Sequence, residues 1–155
     1  MKKYLTKSLF THALDCPTKL YYKSNSKDYV SSQDDDDFLR ALAEGGMQVG
    51  ELAKCYFEDG VEIEYSTDKK KSIQESKKIL KKKNIVIYEA AIQFENTYAL
   101  VDVLEKKGNR INLIEVKSKS WDEEVGFYGK RGGVMPGWHK YLHDIAFQTW
   151  VAQRA

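Results

Sequence analysis

Proline is scarce in this chain, with two residues in 155, and cysteine is equally scarce, also with two. So little proline, with many aromatics, argues against a long disordered stretch. Cys16 and Cys55 fall on separate predicted elements and make neither a disulfide framework nor a zinc-ligand pattern. A reducing cytoplasm is the expected compartment. No apolar run approaches the roughly 18 residues of a membrane-spanning helix, so no membrane partner is expected. The opening Met1-Lys2-Lys3-Tyr4-Leu5-Thr6-Lys7-Ser8 is basic without an apolar stretch behind it, unlike a secretion signal. Excess charge is absent too. The 25 basic and 23 acidic residues leave +2, so only clustering can inform about partners.

What is present is an ordinary globular mixture, 42% hydrophobic and 31% charged, long enough for one domain with a real core. The chain stops at Gln153-Arg154-Ala155, within an apparent amphipathic helix that has no capping signal. A domain from a longer protein, or a short family member, is expected.

Residues 6–23 predict a short helix capped by Thr6 or Ser8 and ending near Cys16-Pro17, then another turn or two through Leu20 and Tyr21. Residues 24–37 are polar and end in four aspartates, which read as a solvated loop and a helix start, where negative charge is favoured. They lack the glycine and distal glutamate of an EF-hand loop. The strongest helix is predicted over 36–57, where Phe38, Leu39, Leu42, Val49, Leu52, Ala53 and Tyr56 recur at helical spacing. Gly45, Gly46 and Gly50 each cost about 1 kcal/mol there relative to Ala, which suggests a second backbone packed close. Glu44, Gln48 and Glu51 share its polar side. Solvation explains that stripe by default, with metal ligation by Glu51 as the functional alternative. The lysine-rich residues 68–84 predict a surface helix, solvated or in contact with phosphates.

The texture then changes to strands at Asn84–Phe94, Tyr98–Leu104 and Arg110–Lys117, joined by turns at Glu95-Asn96 and Lys107-Gly108-Asn109. A glycine-rich loop over 119–138 precedes a last helix from about His139. Cys16 is expected to act as a buried small hydrophobe. His139 and His143 are expected to have structural or capping roles.

Asp102 interrupts one apolar strand, and Glu115 interrupts the next with Lys117 two residues on. Alternation puts Glu115 and Lys117 on one face, and the hairpin brings Asp102 beside them. Two carboxylates and a lysine at paired strand ends are costly to bury without a reason. Hard oxygen ligands suit Mg²⁺ or Mn²⁺. An ion there would activate a water and hold a phosphate oxygen, and Lys117 would stabilise transition-state charge. The plain alternative is a cross-strand ion pair, because Glu-x-Lys is a frequent tripeptide. Glu89 precedes Asp102 by thirteen residues on the neighbouring strand. It is either a direct or indirect metal ligand or a satisfied polar residue at the sheet edge.

Asp102-(x)12-Glu115-Val116-Lys117 resembles the signature of the PD-(D/E)XK nucleases, and the wider chain resembles their RecB-like branch. That branch is close to CRISPR-associated and AddB-type exonucleases, and to RecB-like domains found ahead of a domain of unknown function in bacterial proteins. Four further segments match in order: Ser8-Leu9-Phe10 through Cys16-Pro17-Thr18-Lys19-Leu20-Tyr21, Gly46–Ala53, Tyr88-Glu89-Ala90-Ala91, and His143–Gln148. The resemblance implies a restriction-endonuclease-like α/β fold, a mixed sheet flanked by helices. It implies hydrolysis of DNA phosphodiesters with Mg²⁺ or Mn²⁺, in repair, recombination or defence, and a further domain or helicase-type partner. Asp102, Glu115, Lys117 and Gln148 are then the catalytic candidates. Asp102, Glu115, Val116, Glu89 and Glu51 are the metal candidates. The chain departs from the branch in three places. Gly50 or Glu51 stands near the position of a metal-binding histidine. Ala152 replaces the tyrosine four residues after the glutamine. The cysteines of an iron–sulfur cluster are lacking, so no cluster is expected.

Gly129-Lys130-Arg131-Gly132-Gly133, flanked by Phe127, Tyr128 and Trp138, reads as a basic, adaptable loop. With Lys119 it combines cations for phosphates and aromatics for bases, as single-stranded nucleic acid requires. A disordered surface loop is the alternative. The rival to the enzyme is a catalytically silent nucleic-acid-binding or interaction module on the same fold.

Overall fold

The computed structural model describes residues 4–29, 36–123 and 126–155. It is a mixed α/β arrangement in which helices flank a five-stranded sheet. Strand β1 (Leu5–Thr6) runs into helix α1 (Lys7–Asp15), which is followed by α2 (Pro17–Ser24) and α3 (Asp37–Lys54). After β2 (Val61–Glu62) and α4 (Lys69–Ile79) come β3 (Asn84–Phe94), β4 (Thr97–Lys107), β5 (Arg110–Ile114) and α5 (Pro136–Ala152). Among the described residues no helix is long and apolar enough to cross a membrane.

Local chemistry accounts for the helix starts. Thr6 accepts the Leu9 amide at 3.4 Å to cap α1. Asp36 accepts the Phe38 amide at 2.9 Å to cap α3, and Asp68 accepts that of Lys70 at 3.0 Å to cap α4. Each side-chain oxygen satisfies an amide left without a helical partner. Of the acidic run, Asp36 and Asp37 behave as a helix start. The expectation for residues 30–35 lies outside the described residues, as does that for 1–3.

The long β3–β4 hairpin organises the core. Its ladder runs without slip from Asn84↔Lys107 to Phe94↔Thr97. Ile87, Ala90, Ile92, Ala99, Val101 and Leu104 are buried together with Phe147 and Val151 of α5. The rings of Phe10 and Phe147 stack with centroids 4.9 Å apart, which locks α1 onto α5.

The other edge of β4 is shared. Antiparallel β5 takes its far half, from Val103↔Ile114 to Lys107↔Arg110, while parallel β1 takes its start at Leu5↔Thr97 and Thr6↔Tyr98. The stretch of β4 between these partners ends at Asp102. Lys7, just past β1, and Glu115, just past β5, are both delivered to that gap.

Several expectations are corrected. The third strand ends at Ile114, not Lys117, because the Val116 amide turns to the Asp102 carboxylate instead of the ladder. The last helix starts at Pro136, not His139. Proline suits the first helical position, where its missing N–H loses nothing. Among the described residues, Gly45, Gly46 and Gly50 have nothing within 4 Å of where a Cβ would stand, so no described backbone packs against them. The apolar residues Phe38, Leu42, Met47 and Leu52 of α3 are exposed rather than buried. The glycine under close contact is Gly60 instead, where a Cβ would run into the side-chain ring of Tyr88. Cys16 is half-buried, not buried, and joins α1 to α2 as C-cap of one and N-cap of the other.

Candidate active site

The gap in the edge of β4 gathers charge. Asp102 Oδ2 accepts the Val116 amide at 2.7 Å. That bond ties the end of β5 to β4 and sets Glu115 and Lys117 on either side of Val116. Lys117 donates to Glu115 Oε1 and lies 3.7 Å from Asp144 on α5. Lys7 reaches the same Glu115 oxygen at 2.6 Å. Gln148, fully buried on α5, donates its Nε2 to the other oxygen, Oε2. Glu115 is therefore gripped by three donors from α1, α5 and its own loop. Its side chain is only 8% exposed.

The carboxylates respond differently to burial, which disfavours their charged forms. Burial works against ionised Glu115, yet the bonds from Lys117, Lys7 and Gln148 outweigh it and hold its carboxyl below the ordinary value. Asp102 is pushed up, first by burial and then by the charge of Glu115. Glu89 is pushed up by burial and then by Asp102. Asp144 is also raised, chiefly by burial. Lys117 resists the downward pull of burial because Glu115 stabilises its ammonium, so its pKa is raised.

Glu89 sits opposite Asp102, since the flanking pairs are Tyr88↔Val103 and Ala90↔Val101. Like charges directly opposed in a ladder are destabilising. The backbone of Glu89 is also left-handed, at φ 55°, a region a non-glycine residue rarely adopts. Both features strain one point of an otherwise regular hairpin.

A cleft of about 420 Å³ opens over this point. Asp102, Val116, Lys117 and Glu89 line it from the sheet, and Gly46, Gly50 and Glu51 from α3. Glu51 thus shares the cleft, but its carboxylate pairs with Lys54 at 2.7 Å. A second cleft of about 410 Å³ adjoins the first, with Glu62 and Glu89 in both walls. It holds Tyr65, Tyr98 and Lys69, whose ammonium lies 5.1 Å from the Tyr98 ring centre.

The donor chemistry fits a hard divalent ion. Glu89, Asp102, Glu115 and Asp144 all feel the charge of Lys7, and Lys117 acts on three of them. Carboxylates outnumber ammoniums here, an excess of acceptor oxygens that suits a divalent cation. Gln148 Oε1 is buried with no donor among the described residues, a further acceptor oxygen at the cluster's edge. Among the described residues no three of His, Cys, Asp and Glu already form a cation cage. An ion would have to draw these carboxylates closer.

The expected nucleic-acid residues are divided. Lys130 and Arg131 are exposed at the tip of a small hairpin closed by the Tyr128↔Val134 bridge, and Tyr128 is exposed beside them. Trp138 belongs to α5 and is half-buried, with the Lys119 ammonium 4.6 Å from its ring centre. Those two residues engage each other. Trp121 is the exposed indole at this rim and was not foreseen. His139 places its Nε2 3.1 Å from the Val134 carbonyl.

Lys7 and Asp144 were not anticipated as site residues either. One sequence signal did mark Lys7. A cation opening a helix opposes the helix dipole, at a cost of about 0.3–1 kcal/mol, and so calls for a partner elsewhere. Comparisons with family models, curated proteins and solved structures return no match to this chain.

Proposed function

We propose that the protein is a metal-dependent nuclease of the PD-(D/E)XK type that hydrolyses DNA phosphodiesters. The convergence of Asp102, Glu115 and Lys117 at one gap in the sheet, around the Asp102–Val116 hydrogen bond, carries this reading. Asp102 and Glu115 would hold Mg²⁺ or Mn²⁺, with Glu89 as a third oxygen donor. Such an ion supplies an activated water and a grip on a phosphate oxygen. Gln148 and the lysines keep Glu115 ionised and aimed. The ammonium of Lys117 is placed to meet charge developing on the phosphate. The exposed Lys130, Arg131 and Tyr128 supply cations and a ring for the strand.

Cleavage of single-stranded and duplex DNA with Mn²⁺, with Mg²⁺ and with EDTA tests this. The expected result is cleavage only with metal, and a fall of about 10²–10³ in Lys117→Ala with the fold intact. No cleavage with either ion would sink it.

One observation favours a second reading. Both oxygens of Glu115 are already satisfied by Lys7, Lys117 and Gln148, a network that is stable without an ion. A catalytically silent DNA-binding module would show DNA binding unaffected by EDTA and no calorimetric signal with Mn²⁺.

A further inference from the structure

Lys7 is brought to the site from the far end of the chain. The β1–β4 pairing fixes Leu5 and Thr6, so the next residue faces the gap beside Asp102. Its side chain is 23% exposed and reaches Glu115 Oε1, the oxygen that Lys117 also takes. Two ammoniums on one oxygen are held side by side against their repulsion by that carboxylate. Helix stability does not explain the placement, because a cation opposes the helix N-terminus. Once Glu115 directs its charge to a divalent ion, Lys7 gives up the carboxylate it bonds and Lys117 the nearer of its two. Both ammoniums can then turn to an incoming anion. A phosphodiester is the anion the site receives.

We infer that Lys7 and Lys117 form a two-lysine clamp on the substrate phosphate, with Lys7 a substrate-binding residue in its own right. This rests on the nuclease reading above. A phosphate bridging the pair accepts from both ammoniums, a charge-assisted arrangement stronger than neutral hydrogen bonds. Each lysine then contributes one phosphate contact, and each contact releases counterion.

The test is binding of a fluorescent single-stranded oligonucleotide across a salt series, in Ca²⁺ to suppress cleavage. The proteins compared are wild type, Lys7→Gln, Lys7→Arg and Lys107→Gln. The last removes the same charge from the opposite end of β4. Lys7→Gln should flatten the plot of log affinity against log salt by about 0.7, the value of one single-strand contact. Lys7→Arg should keep the wild-type slope, and so should Lys107→Gln. If Lys7→Gln fails to fold, it is repeated in a Glu115→Gln background, where the carboxylate that Lys7 bonds is already neutral, against Glu115→Gln alone. A Lys7→Gln slope parallel to its reference would overturn the clamp while leaving the nuclease reading standing. Wild type that does not bind the oligonucleotide at any salt would overturn both.

Discussion

The buried amide of Gln148 on α5 donates Nε2 to Oε2 of Glu115, a residue 33 positions earlier. One helix thereby packs the core through Phe147 and Val151 and steers a site carboxylate through the residue between them. The same bond makes the site sensitive to a change that adds no bulk.

Gln148→Glu would set a second carboxylate against Glu115 in a fully buried position. An uncompensated buried charge costs about 3 kcal/mol or more. The expected result is a loss of that order in urea unfolding at neutral pH. It should shrink as pH falls through the carboxylate range, because one proton shared by the pair removes the repulsion. A loss independent of pH would mean that Gln148 matters only for packing.

Glu89 faces Asp102, and its carboxyl is raised in the folded protein by burial first and then by the Asp102 charge. A raised carboxyl contributes stability below the unfolded value, and that stability is lost as pH rises through the folded value. At neutral pH, therefore, charged Glu89 weakens the fold. Glu89→Gln should stabilise by on the order of 1 kcal/mol at pH 7, the scale of a like-charge cross-strand pair. The gain should vanish in acid, where wild-type Glu89 is neutral, and Mn²⁺ affinity should fall. Thermal melts across pH, with calorimetric titration of Mn²⁺, check both halves. A variant no more stable at pH 7 than wild type would refute the cost assigned to charged, buried Glu89 opposite Asp102.

Tyr98, buried below the Lys69 ammonium, has its hydroxyl pushed up to about 12 by burial and then by Glu89. Between the ordinary value of 10.0 and about 12, the unfolded chain loses this proton while the folded protein keeps it. Stability should fall with rising pH over that window. Tyr98→Phe should remove this limb of the alkaline profile without changing the profile near neutrality. An unchanged alkaline limb in the variant would place the cause elsewhere.

The hairpin tip bearing Lys130 and Arg131 tests the route of the strand. Replacing both by Ala should flatten the salt dependence of oligonucleotide binding by about one to two units, as for two lost phosphate contacts. Mn²⁺ binding should be unchanged, since neither residue touches the carboxylates. Parallel slopes would shift attention to the lysines of residues 69–83.

The sequence by itself determined the β3–β4–β5 hairpins, the capped starts of α1 and α3 and the nearness of Asp102 to Glu115 and Lys117. These are local facts, set by runs of apolar residues, turn residues and capping side chains within a few positions. Only the tertiary structure decided the rest. Strands β1 and β2 span two residues each, too short for any periodicity, and exist because β3 and β4 offer them edges. The α3 stripe was legible as an apolar face, but its spacing carries no information about what lies opposite, and no described residue approaches its glycines. Lys119 and Trp138 read as two free contacts until the start of α5 at Pro136 placed one over the other. Lys7, Asp144 and the opposition of Glu89 to Asp102 depend on which edges meet across the fold. Such contacts are set by the packing of distant segments, and no pattern within any one segment encodes them.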